Sequence, residues 1–102
     1  MKYGLSDNAI QKINLIFEKF SAVEKVVLYG SRAKGNFRKG SDIDLTLFGN
    51  DLSFDILTKI KIAFDDSSLP YKFDLSIFSQ LSDPDFIDHI RRVGVTFYEK
   101  KC

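Results

Sequence analysis

The chain has 102 residues, enough for one hydrophobic core, and a single domain spanning 1–102 is expected. Its composition, 44% hydrophobic and 28% charged with ten Phe, is that of a folded globular protein and excludes a disordered chain. Fifteen basic against fourteen acidic side chains leave a formal net charge of +1, which excludes an extended nucleic-acid surface held by phosphate neutralisation alone.

Taken in order, Ser6 is placed to cap a first helix running to about Phe20, because Ile10, Ile13, Phe17 and Phe20 recur at three- and four-residue steps and Asp7 favours the positive end. That stripe predicts a surface helix lying over a sheet. Val23 to Tyr29 carries large and β-branched apolar residues on both faces and reads as a strand buried on both sides. Gly30 ends it, Ser31 to Gly35 makes a short helical turn, and a polar loop leads to a second strand from about Asp42 to Phe48, closed by Gly49-Asn50. Ser53 caps a second long helix with the stripe Phe54, Leu57, Ile60, Ala63 and Phe64, which fades at 65–68 before Pro70 forbids its continuation. Tyr71 to Phe78 alternates, with Phe73, Leu75 and Ile77 on one face and Lys72, Asp74 and Ser76 on the other, so a third strand is expected. Asp83-Pro84 starts a last helix that runs to about Val93, Gly94 ends it, and Val95 to Tyr98 adds a short edge strand. No repeat or low-complexity segment divides the chain.

The only cysteine, Cys102, forms no internal disulfide and no Cys/His metal cluster. The start MKYGLSDNA has no apolar signal region, and no apolar run approaches the about eighteen residues that span a bilayer. A cytoplasmic protein with no membrane partner is the expectation.

The chemistry concentrates in YGSRAKGNFRKGSDIDL, from Tyr29 to Leu45. Gly30 and Ser31 are followed by ten residues and then by Asp42 and Asp44, which as i and i+2 of a strand project from one face while Ile43, Leu45 and Leu47 enter the core. A glycine lets the backbone pass close beneath a phosphate, and Ser31 adds a hydroxyl and amide donors at a helix start, where anions are favoured. Arg32, Lys34, Arg38 and Lys39 crowd the same stretch as a local anion site, and Arg32 is counted with Gly30 and Ser31 as a nucleotide contact. If the third strand neighbours the second with Asp74 beside the pair, three carboxylates converge, at a cost in repulsion that Mg²⁺ would offset. Two such ions would clamp an α-phosphate and activate an attacking hydroxyl. Other motifs fail: no Gly-Lys-Ser/Thr ends a P-loop, and Thr46 and Leu47 stand where an EF-hand beginning at Asp42 needs Asp or Asn and then Gly. His89, between Asp88 and Ile90, reads as a surface histidine; Asp51, Asp55, Asp65 and Asp66 read as caps or solvated charge. The phenylalanines at helical spacing read as core, any exposed remainder as a partner interface.

GSRAKG, then SDIDL, then YKFDLSIF resembles the DNA polymerase β-like nucleotidyltransferase superfamily, and within it the minimal nucleotidyltransferases of prokaryotes. The resemblance runs from the first strand to the third and implies an α/β (α+β) nucleotidyltransferase fold, a small mixed β-sheet flanked by helices. It implies Mg²⁺, two ions, and transfer of a nucleoside monophosphate from a triphosphate, ATP, to a hydroxyl. By position, Gly30 and Ser31 would hold the β- and γ-phosphates, Asp42 and Asp44 would bind both metals, and Asp74 would complete the site. The resemblance also implies an acceptor presented by a partner, commonly a HEPN-domain toxin that receives AMP on a tyrosine while the nucleotidyltransferase acts as its antitoxin, in a homo- or hetero-oligomer. Two other classes stand beside this reading: a non-catalytic, nucleotide-binding module that neutralises or scaffolds a partner, and a transferase acting on a small molecule.

Overall fold

The computed structural model describes residues 2–101, which leaves Cys102 outside the described residues. Helix α1 (Asp7–Glu18) is followed by strand β1 (Lys25–Tyr29), the single turn of helix α2 (Ser31–Lys34), β2 (Ile43–Phe48), α3 (Phe54–Asp65), β3 (Phe73–Ile77), α4 (Pro84–Val93) and β4 (Val95–Glu99). The caps expected from the sequence are in place: Ser6 accepts from the Ala9 N–H at 3.1 Å, Ser53 from the Ile56 N–H at 3.3 Å, and Asp83 from the Asp85 N–H at 3.0 Å. Ends differ by a residue or two. The first helix stops at Glu18, β1 begins at Lys25, and β2 begins at Ile43, so Asp42 stands just outside the strand. A 3₁₀ turn over Phe78–Gln80, which the sequence pattern did not signal, bends the chain from β3 toward α4.

The strands form one mixed sheet in the order β3-β2-β1-β4. β1 lies antiparallel to both β2 and β4, whereas β2 and β3 run parallel, a pairing that needs a crossover and receives it from α3. One face carries Val26, Leu28, Ile43, Leu45, Leu47, Leu75 and Ile77 and packs under α1 and α3, which contribute Ile13, Phe17, Leu57, Ile60 and Phe64. The Phe17 and Phe64 rings meet edge to face at 5.3 Å between centroids. The opposite face is smaller and is covered by α4, where Ile90 closes over Val27 and Tyr29 with Phe48, Phe78 and Phe86 around them. The stripe expected on α3 is therefore right at Leu57, Ile60 and Phe64 but not at Phe54, which is 71% exposed. Phe54 occupies the first position of the helix, where the chain has not yet turned onto the sheet.

Candidate active site

Three strands bring the candidate residues to one end of the α4 face of the sheet. In the β2–β3 ladder Asp44 is the direct partner of Asp74, and in the β1–β2 ladder Asp44 is the direct partner of Tyr29. The neighbour relation required for Asp74 thus holds. Tyr29 runs straight into Gly30, whose φ of 79° and ψ of −158° lie in a region that side chains exclude. A Cβ there would collide with the Asp44 Oδ2 and stand 3.2 Å from its Cγ, so glycine is what allows the turn to pass over the carboxylate. Gly30 also caps α2 without a side chain, so no capping group consumes the N–H groups of that first turn.

The charges at this end oppose one another. Burial first, then the negative charges of Asp74 and Asp42, push the Asp44 carboxyl above the ordinary aspartate range, while Arg32 and His89 pull it partly back. Burial, with Asp74 next, pushes the Tyr29 hydroxyl up to about 12, against a smaller opposing effect of its hydrogen bond with Ser76. Asp42 and Asp74 are exposed and Asp44 is half-buried. Among the described residues no three His, Cys, Asp or Glu side chains form a ready-made metal group, so the carboxylates are neighbours along the sheet rather than a closed cage. Asp44 and Asp74 stand side by side in register, with Asp42 two residues before Asp44 on the same chain. The donor set itself, carboxylate oxygens only, suits a hard divalent cation, and these are the residues that would hold one.

Two residues read differently in three dimensions. Arg32, expected beside a nucleotide, is only 4% exposed. Its guanidinium donates from Nε and Nη2 to the Ser41 carbonyl at 3.2 and 2.8 Å and from Nη1 to the Tyr3 carbonyl at 2.8 Å, while Lys34, Arg38 and Lys39 remain exposed. His89, expected on the surface, is half-buried, with its ring 6.5 Å from that of Tyr29 at 88°. The signal for His89 was its place three residues after Phe86, which also meets the Tyr29 ring, at 5.4 Å. Tyr29 itself was read only as the end of a strand. Asp42 and Asp74 face solvent, and a groove of about 730 Å³ between α1 and β4 is lined by none of the three carboxylates.

A small mixed sheet whose first strand ends in a Gly-Ser turn, and whose next two strands set aspartates beside that turn, defines the nucleotidyltransferase class. The family model for polymerase beta nucleotidyltransferases matches residues 11–102, and the chain belongs to that family. It is 39% identical over 74 residues to the probable protein adenylyltransferase MntA of Haemophilus influenzae, an alignment covering 72% of this chain and 64% of the relative's length. Among solved structures it resembles a toxin–antitoxin with AMP-PNP, at TM-score 0.72 and 19% identity over 90% of this chain and 74% of that one. It also resembles the complex of the tri-AMPylated Shewanella oneidensis HEPN toxin with MNT antitoxin, at TM-score 0.58 and 18% identity over 89% of this chain and 70% of that one. At such identities the structural likeness establishes the fold.

Proposed function

We propose that this chain transfers AMP from ATP to a hydroxyl, that the acceptor is a tyrosine of a HEPN-type toxin, and that the chain is the toxin's antitoxin. The observation that carries the reading is the in-register pair Asp44–Asp74 lying against a glycine turn whose backbone admits no side chain. The MntA relative and the tri-AMPylated HEPN toxin in complex with MNT antitoxin support AMP transfer to a HEPN-type partner. An open site also suits an acceptor that arrives on another protein.

Gly30 and Ser31 would receive the β- and γ-phosphates, the glycine by letting the main chain approach and the serine by its hydroxyl and N–H. Asp42, Asp44 and Asp74 would hold Mg²⁺, which neutralises triphosphate charge and makes a hydroxyl more acidic. The tyrosine oxygen forms a bond to the α-phosphorus as the bond to pyrophosphate breaks, and its proton passes to the Asp74 carboxylate, the exposed member of the pair. Tyr29, whose hydroxyl stays protonated, acts as a fixed wall beside Asp44 and takes no part in proton transfer.

The test is incubation with labelled ATP, Mg²⁺ and a HEPN partner. Label should appear on the partner with the native chain and disappear with Asp42→Asn and Asp44→Asn. Absence of label with folded native protein would refute transfer, and full neutralisation of the toxin by Asp44→Asn would favour a binding module instead.

A further inference from the structure

We propose that Arg32 is a positioning residue: latched to the turn at Tyr3–Gly4, its guanidinium fixes the Ser41–Asp42 main chain and so sets where the Asp42 carboxylate stands. A guanidinium is costly to bury unless its edges are hydrogen-bonded. Here the edges donate to the carbonyls of Ser41 and Tyr3, and the rings of Phe37 and Tyr71 lie 5.4 and 5.5 Å from the guanidinium carbon. Those bonds hold the side chain inside the protein, where it is only 4% exposed.

Both ends of the latch are anchored. Ser41 is the knot of the loop, since its hydroxyl accepts from the Arg38 N–H at 2.8 Å and its own N–H donates to the Arg38 carbonyl at 2.9 Å. One residue beyond Asp42, the Ile43 N–H donates to the Lys72 carbonyl at 2.9 Å. Asp42 is therefore held from both sides although it lies outside the strand and is exposed. At the other end, Tyr3 (φ 56°) and Gly4 (φ 72°) form a tight turn closed by reciprocal bonds between Lys2 and Leu5, and Leu5 is fully buried. A Cβ on Gly4 would collide with the Phe37 ring and come 2.9 Å from the Arg32 Nη1. The N-terminal turn and the site loop are thus parts of one assembly with Arg32 at its centre.

The catalytic consequence rests on the transfer reading above; the latch itself does not. The experiment compares native protein, Arg32→Lys and Gly4→Ala by amide hydrogen exchange without ligand, direct binding of Mg²⁺–ATP, and steady-state transfer. The lysine variant keeps the charge but loses the fork, and the alanine variant leaves Arg32 intact and lies outside the phosphate turn. Both should speed exchange at 41–43 and lower kcat by about tenfold or more, while ATP affinity and its KM stay within about threefold. A phosphate contact would instead show Arg32→Lys with ATP binding weakened about tenfold or more and exchange unchanged, and that result overturns the proposal. Native exchange and kcat in Gly4→Ala overturn it too, and this arm decides the matter if Arg32→Lys fails to fold. If native protein shows no transfer, the functional reading falls, while exchange at 41–43 still decides the latch.

Discussion

Replacing Gly30 by Ala separates two costs that the fold imposes at one atom. The backbone conformation, φ 79° and ψ −158°, is open essentially to glycine alone, and holding another residue there costs about 1–3 kcal/mol. For a domain of this size each kcal/mol lowers Tm by roughly 4–8 °C, so thermal unfolding should register the substitution clearly. The second cost falls on Asp44, whose Oδ2 the new methyl group would overlap. That oxygen ends a side chain and can swing aside by ~1 Å to regain ordinary contact. The displacement then appears in the chemistry, where a misplacement of about 1 Å is worth about 100-fold in rate. Circular dichroism melts on Gly30→Ala, with and without Asp44→Ala, and transfer assays on Gly30→Ala alone resolve the two. The stability loss should survive in the Asp44→Ala background, because it belongs to φ and ψ. A Gly30→Ala protein that melts and turns over like the native chain would refute both the strain and the crowding of Asp44.

Asp44→Asn should melt above the native protein at neutral pH without divalent cation, although it should lose transfer activity. The folded-state pKa of Asp44 is raised, so the folded chain binds that proton more tightly than the unfolded chain. The resulting penalty is present above the folded pKa and is relieved as pH falls toward the ordinary aspartate value of 3.8; the advantage of the Asn variant should shrink across that window in pH-dependent melts. An advantage that grew on acidification would contradict the raised pKa. Saturating Mg²⁺ should raise the native Tm and leave Asp44→Asn nearly unmoved, since a ligand stabilises only the state that binds it. Leu45→Ala, at a position fully buried between Ile43 and Leu47, should cost about 2–5 kcal/mol in urea unfolding. Phe54→Ser, at an exposed helix start, should stay within about 0.5 kcal/mol by the same measurement. Because the Tyr29 hydroxyl titrates at about 12, Tyr29→Phe should leave the shape of the pH–rate profile unchanged.

Much of the site was legible because its signals are local. Ser6, Ser53 and Asp83 act on N–H groups two or three residues ahead, so helix starts can be read from the chain. Period-2 alternation marked β2 and β3, and with it the shared direction of Asp44 and Asp74. Phe54 shows where the pattern misleads, since periodicity says which face is apolar but not where along the helix the sheet begins to cover it. Arg32 and His89 show a deeper reason. An arginine in a basic run and a lone histidine carry no mark of what lies beside them, and their partners, Tyr3 twenty-nine positions away and Tyr29 on the sheet face under α4, are brought near only by folding.

Turn chemistry, capping and side-chain alternation, all interactions between near neighbours, marked the elements, the Gly30-Ser31 turn and the candidate carboxylates before any packing was known. Strand order did the rest. By placing β3 parallel to β2 in register, the sheet made Asp74 the partner of Asp44, and by seating α4 over β1 it brought His89 to the Tyr29 ring. The buried guanidinium of Arg32 had to find its acceptors in the Tyr3–Gly4 turn and the Ser41 carbonyl, because burial leaves an unpaired donor too costly to keep. Such pairings join residues distant in the chain, and they exist only once the core has closed.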